Sequence, residues 1–426
     1  MNVVQRIHSN RFLKNFAALF SATLFAQLIN IAASPVLTRI YSPEEFGYFS
    51  FYLSVCALLI VYTTGRYEFA INTVKTEAES QQLFKVVTVF STLFAVLLLA
   101  AEQLFYEPII RLFKLEGASS LLLYIPLTLL VMGISQGLNY YLNKYKAFGV
   151  LSKGKVLRSS VTSGASIAFG FTGLQSAGLI LANVLGYAVS NVYQTRVKKI
   201  GFLFNLREYK ARSLARTAAQ HKHYPLYNST SAFFDNMAVQ APVFILMRFF
   251  SEAIVGFYSL TIRVAAMPIS LISASVAQVF LSEIAELHAK GRSFLPVVKK
   301  VLLLLAGIGI LPVVLLVIAG PWGFALVFGE KWRMAGELSQ ILAFGYYAKF
   351  VVSPLSVVFF VKQKVKLLSM IQGIRAISTL SVLWASSVYL NIKGVVFVYS
   401  IHELLFYSLY LFSIFHISRD NDHIRS

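Results

Sequence analysis

Several ionisable side chains sit in stretches of the chain that are otherwise apolar. They are Arg66 and Glu68 in "GRYEFAI", Asp235 in "SAFFDNMAVQAP", Lys349 in "YYAKFVVSP", and Arg263, Arg375 and Glu403. Nothing in their spacing composes a nucleophile with its base, a metal-ligand set or a glycine loop for phosphates, so no catalytic role is expected. Charges within apolar helices cost about 2.5–3.5 kcal/mol each on insertion scales and are kept for function or for pairing. The bases Lys349, Arg263, Arg375 and Arg66 are candidates for a cationic cavity wall. The acids Asp235, Glu403 and Glu68 are candidates for ion pairs or for carrying a coupling proton. Four bases against three acids lean toward an anionic ligand.

Each residue also has a plainer reading. Lys349 lies too deep in its apolar stretch for its ammonium to reach water, and Arg263 is about two turns from an outer end. Arg375 and Arg66 are near cytoplasmic ends, where a long side chain reaches the interface. Arg66 and Glu68 would not share a helix face, so separate partners are expected for them. Asp235 could pair with Lys349 or Arg263. The polar residues Gln27, Asn30, Asn139, Asn183, Asn228 and Asn236 suit sugar hydroxyls, and equally suit hydrogen bonds between helices.

The elements that must hold these residues are membrane helices. Of 426 residues, 57% are hydrophobic and only 13% charged, far from a soluble domain's composition. Apolar runs of roughly 20 residues predict about twelve spans. They cover 14–38, 46–69, 83–105, 118–142, 157–173, 177–195, 224–248, 255–281, 300–320, 338–361, 367–390 and 394–416. The first resembles a signal peptide but is too long, and reads as a retained helix. The single cysteine, Cys56, excludes an intrachain disulfide and reads as a packing residue.

The net charge of +20 is explained by the loops rather than by nucleic acid. Lys and Arg crowd alternate loops, while the other set holds only Arg39, Arg111, Lys114, Arg248, Lys331, Arg333 and Lys393. The positive-inside rule then places both termini in the cytoplasm. The longest polar interval, "FLFNLREYKARSLARTAAQHKHY", reads as a basic amphipathic helix on lipid headgroups or as a charged linker. It divides the chain into an N-terminal six-helix bundle (1–196), a cytoplasmic basic linker (197–223) and a C-terminal six-helix bundle with a short tail (224–426).

A repeated phrase supports the division. "LTRIYSPEEFGYFS" (37–50) returns without a gap as "LMRFFSEAIVGFYS" (246–259), matching Arg39 to Arg248, Ser42 to Ser251 and Gly47 to Gly256. Both copies fall at the turn after the first helix of a half. Six helices are an even number, so the halves share an orientation and are expected to be related by a pseudo-two-fold along the membrane normal.

The segments "SPVLTRIYSPEEFGYFSFYLSV", "GRYEFAI", "YPLYNSTSAFFDNMAVQAPVFILMRFFSEAIVGFYSLTIRVAAMPISLISASVAQVF" and "VFGEKWRMAGE" resemble polysaccharide-transport (Wzx-type) flippases. That family belongs to the multidrug/oligosaccharidyl-lipid/polysaccharide (MOP) exporter superfamily, and the likeness spans essentially the whole chain. It implies an all-α, MATE-like membrane protein with two rocking lobes. The implied activity is flipping of an undecaprenyl-pyrophosphate-linked oligosaccharide in a bacterial inner membrane, with H+ or Na+ coupling left open. The expected partners are that substrate, the bilayer, and polymerase and chain-length proteins. No cofactor, metal or nucleic acid is expected. The alternatives are a MATE-like drug/cation antiporter, or a membrane-embedded oligosaccharide polymerase or glycosyltransferase; the last lacks a sizeable outer loop.

Overall fold

The computed structural model describes the backbone of residues 3–113, 115–198, 200–201, 205, 209–225 and 229–419. It describes side chains from Ser21 onward apart from short stretches, among them 116–119, 230–231, 235 and 266–271. The chain divides into two compact units, Met1–Asn236 and Met237–Ser426. Among the described residues every regular element is helical.

The first unit holds α1 (Val3–Ile40), α2 (Pro43–Thr63), α3 (Tyr67–Thr73) and α4 (Glu77–Phe113). A 3-10 segment, Glu116–Tyr124, leads into α5 (Ile125–Lys144), then α6 (Phe148–Gly170), α7 (Gln175–Val197) and the short α8 (Ala211–Gln220). The helix α9 (Ser229–Phe249) begins in the first unit and ends in the second. The second unit continues with α10 (Glu252–Ala289), α11 (Leu295–Phe328), α12 (Arg333–Val352), α13 (Val357–Val361), α14 (Val365–Tyr389) and α15 (Ile392–Arg419). Among the described residues, nine helical segments are long and apolar enough to cross a membrane.

The repeated phrase has one local structure in both places. Tyr41 N–H donates to Leu37 O at 2.8 Å, and Phe250 N–H to Leu246 O at 3.0 Å, closing the preceding helix. The next helix is capped by Ser42, whose hydroxyl accepts from Glu45 N–H, or by Ser251, whose hydroxyl accepts from Ile254 N–H. At the first turn the cap is reciprocal, because the Glu45 carboxylate accepts from Ser42 N–H at 2.7 Å. A serine cap satisfies helix N–H groups that have no partner within the helix, and contributes about 1 kcal/mol. Pro43, at the first helical position, needs no such partner.

Two expected helices are interrupted. The second expected span, 46–69, stops at Thr63, and Gly65 (φ 56°) and Arg66 (φ 59°) both adopt the left-handed conformation before α3 begins. Glycine takes that conformation freely, whereas arginine there is strained. The tenth, 338–361, ends its α-helix at Val352 and passes through a 3-10 turn, Ser353–Ser356, built around Pro354. Proline's missing N–H and its clash with the preceding turn account for the change.

Packing within each unit relies on small residues. A Cβ on Gly336 would lie 2.2 Å from the Gly320 carbonyl oxygen, so α11 and α12 touch backbone to backbone. In contrast, α11 leaves Leu303, Leu311 and Ile318 exposed, a surface that only acyl chains can solvate. The first unit's core joins Leu83, Phe84 and Val87 of α4 to Leu138 and Leu142 of α5, and it includes Leu214 of α8. The basic linker therefore does not offer that leucine to lipid headgroups. Leu214 is covered by the protein, with Arg212 and Arg216 left outward.

Candidate functional site

The second unit contains a buried ion pair that the sequence reading did not assemble. Arg375 of α14 and Glu403 of α15 meet in a two-pronged contact, with Nη2 to Oε2 at 2.8 Å and Nε to Oε1 at 3.3 Å. Only 8% and 6% of their side-chain surfaces are exposed. The guanidinium carbon also lies 5.5 Å from the Phe406 ring centre and 5.2 Å from that of Tyr407. Fork-to-fork geometry and aromatic faces give arginine the contacts that lipid cannot. On the preceding residue, His402 Nε2 is 2.9 Å from Ser378 Oγ, which ties α15 to α14 a second time.

Lys349 stands nearby in the fold. It is half-buried in the last turn of α12, where the helix dipole favours a cation, and its Nζ is 5.8 Å from the Tyr346 ring centre. Tyr346 in turn borders a small internal void together with Gly345, Tyr399, Ser400 and Glu403. The sequence Lys349, Tyr346, Glu403, Arg375 thus runs through α12, α15 and α14 as one chain of neighbours. Arg263 lies half-buried on α10 of the same unit. The Asp235 side chain and Asn228 lie outside the described residues, so the pairing expected for Asp235 has no structural counterpart to compare.

In the first unit the expectation for Arg66 and Glu68 is corrected. Arg66 Nη1 and Glu68 Oε1 are 3.9 Å apart, because Arg66 precedes α3 in a left-handed conformation instead of sharing its helix. The rule that residues two apart on a helix diverge does not apply at a helix start. The guanidinium also lies 5.5 Å from the Phe69 ring centre. Glu68 Oε2 is buried with no hydrogen-bond partner among the described residues.

The amide candidates divide. Asn30 Oδ1 accepts from Ser159 Oγ at 2.8 Å and Ser163 Oγ at 3.2 Å, which joins α1 to α6. Asn236 Nδ2 donates to Ala57 O at 3.0 Å. Both act as links between helices, the plainer of their two readings. Gln27 Oε1 is buried and has no donor among the described residues.

One buried acid was passed over. Glu102 of α4 is 5% exposed, faces Tyr52 and Cys56 of α2, and leaves Oε2 unpartnered among the described residues. It lies within an expected span, so the rule that singled out Glu68 would have found it. The same rule also adds a base in that span, Lys85 of α4, which is 4% exposed, so the balance of charges read from the sequence keeps its small excess of bases. No cluster of three or more metal-ligating side chains occurs among the described residues.

The fold defined by these helices is that of MOP exporters. The chain is similar to a multidrug resistance MATE family transporter of the MOP superfamily in its inward-facing conformation: TM-score 0.66, 14% identity, covering 94% of this chain and 96% of that one. It is also similar to the lipid II flippase MurJ, inward closed, with TM-score 0.67, 15% identity, and 95% and 90% covered. A third structure, a MOP superfamily transporter from Pyrococcus furiosus described as having a binding pocket of reverse polarity, gives TM-score 0.55 at 15% identity, with 95% and 96% covered. A search of proteins of curated function finds no match. Residues 36–337 match the model of a family described as polysaccharide biosynthesis protein, and the chain belongs to that family.

Proposed function

We propose that this protein is a flippase. It moves undecaprenyl-pyrophosphate-linked oligosaccharide repeat units from the inner to the outer leaflet of a bacterial cytoplasmic membrane, for O-antigen, capsule or exopolysaccharide assembly. The family match over residues 36–337 carries the reading, and the fold shared with a lipid II flippase supports it. The same fold serves multidrug transporters, so the cargo class rests on the family and not on the fold.

In this reading the twelve helices form two six-helix lobes related along the membrane normal, with both termini cytoplasmic as the loop charges require. The lobes alternate access to a wet cavity, and the polyprenyl tail stays in lipid. Lys349 and Arg263 supply charge to the pyrophosphate. Arg375 and Arg66, each beside a carboxylate, hold the walls and can exchange that partner for the cargo as the lobes move. Asp235, Glu68 and Glu403 are the coupling candidates for H+ or Na+. Polymerase and chain-length proteins would receive the product.

The test is transfer of labelled undecaprenyl-pyrophosphate oligosaccharide across sealed proteoliposomes containing the purified chain. Transfer above that of empty vesicles supports the reading. Efflux of organic cations with no lipid transfer would replace it with a multidrug antiporter. An Asp235→Asn variant that keeps its pH or sodium dependence would clear Asp235 of coupling.

A further inference from the structure

No Asp or Glu occurs between Glu116 and Glu208, and none occurs in α1. The helices α1, α5, α6 and α7 of the first unit are therefore a bundle without a single carboxylate. In this setting α6 carries Lys155 and Arg158, one turn apart and both half-buried. Lys155 Nζ donates to Thr23 Oγ1 of α1 at 3.1 Å, while the Arg158 guanidinium lies 4.6 Å from the Tyr187 ring centre of α7. A hydroxyl and an aromatic face orient these cations without neutralising them. Lys155 is partly desolvated by burial, and Arg158 adds a neighbouring charge of the same sign. Among the described residues neither cation is paired with a carboxylate, so an anionic group placed beside them would offset the repulsion of two like charges. Gln27, one turn along α1 from Thr23, adds a buried Oε1 with no donor among the described residues, an acceptor for a hydroxyl.

We propose that Lys155 and Arg158 form a phosphate-binding subsite in the first unit, with Gln27 accepting from a hydroxyl on the group the phosphate carries. The ligand chemistry is a phosphate ester of a membrane lipid. It comes from the polyprenyl pyrophosphate of the cargo, which rests on the flippase reading, or from an anionic phospholipid of the bilayer. Paired lysine and arginine suit it because the guanidinium grips two phosphate oxygens and the ammonium adds a mobile point charge.

The full chain in phosphatidylcholine nanodiscs tests this, by native mass spectrometry after adding undecaprenyl pyrophosphate or, separately, phosphatidylglycerol. A Lys155→Gln/Arg158→Gln pair is expected to weaken binding of one of these lipids by about tenfold or more, the loss of charge-assisted contacts. Lys153→Gln, an exposed neighbour on the same helix, is expected to bind as the parent does. Loss confined to undecaprenyl pyrophosphate identifies the cargo as ligand, and loss confined to phosphatidylglycerol identifies the bilayer lipid. A Gln pair that binds both lipids like the parent overturns the subsite. If binding of undecaprenyl pyrophosphate then still depends on Lys349 and Arg263, the flippase reading stands without it. Where the Gln pair does not fold, photo-crosslinking of the parent chain with diazirine forms of both lipids decides. Label on α6 and α1 around Lys155 and Gln27 supports the subsite, and label only elsewhere overturns it.

Discussion

Arg375 and Glu403 hold each other through two contacts, at 2.8 and 3.3 Å, within the apolar interior of the second unit. Removing one partner strands the other's charge, a loss of about 3–5 kcal/mol for buried pairs. Glu403→Ala is therefore expected to lower the detergent-solubilised protein's thermal midpoint sharply. Arg375→Met combined with Glu403→Leu is expected to recover most of it, because an apolar pair restores packing without charge. Equal midpoints for the single and double variants would show that the pair is not a stabilising unit.

Lys349 is only half-buried and is steadied by Tyr346 at 5.8 Å. Lys349→Gln is expected to change folding stability by no more than about 1 kcal/mol, as for a substitution at a partly exposed position. Transfer of the lipid-linked oligosaccharide in proteoliposomes is expected to fall at least about tenfold, the loss of one charge-assisted contact. Full transfer by this variant and by Arg263→Gln together would remove the cationic wall from the proposed mechanism.

The Gly336 position leaves no room for a side chain, since a Cβ would meet the Gly320 oxygen at 2.2 Å. Gly336→Ala is expected to push α11 and α12 apart and to destabilise by about 1–3 kcal/mol, as overpacking does. The check is the yield of folded protein on size-exclusion chromatography. Gly307→Ala, where an added Cβ meets nothing within 4 Å, is the control expected to behave as the parent.

Arg66 occupies a left-handed conformation, φ 59°, that strains any residue except glycine. Arg66→Gly relieves that strain, about 1–2 kcal/mol, and removes the contact to Glu68. Because Glu68 is buried and loses its neighbouring cation, thermal stability is expected to fall along with transport despite the relieved strain. A midpoint that holds or rises would mean that the strain outweighs the Glu68 contact.

His221, in the linker after α8, has its basicity lowered by partial burial first and by the neighbouring His223 second. The folded chain therefore binds this proton less readily than the unfolded chain does. Stability from this group is complete above the unfolded histidine range, near 6.5, and is lost as pH falls toward the lower folded value. The thermal midpoint of the parent is expected to drop more than that of His221→Gln between pH 7 and pH 5. Parallel curves would show that His221 is not the group responsible.

Much was legible in the residues alone. Apolar runs of roughly 20 residues, about twice what a spanning strand needs, determined that the chain is helical and embedded in a membrane, because an α-helix satisfies every backbone polar group within its own segment. The repeated Arg–Ser–Gly phrase marked two equivalent helix starts, since a serine cap is a local interaction set by a few adjacent residues. The motif segments named the superfamily in the same way.

Tertiary structure decided which charges meet. Arg375 and Glu403 are 28 residues apart on successive helices, and periodicity says which face of a helix is polar without saying which helix it faces. The left-handed step at Gly65 and Arg66 decided that Arg66 reaches Glu68, and the packing of α8 decided that Leu214 is covered by protein instead of lipid. The burial of Glu102 against α2 was set in the same way. Sequence assigns a side chain to a solvent by its chemistry, but the partner that compensates a buried charge is chosen only when the helices assemble.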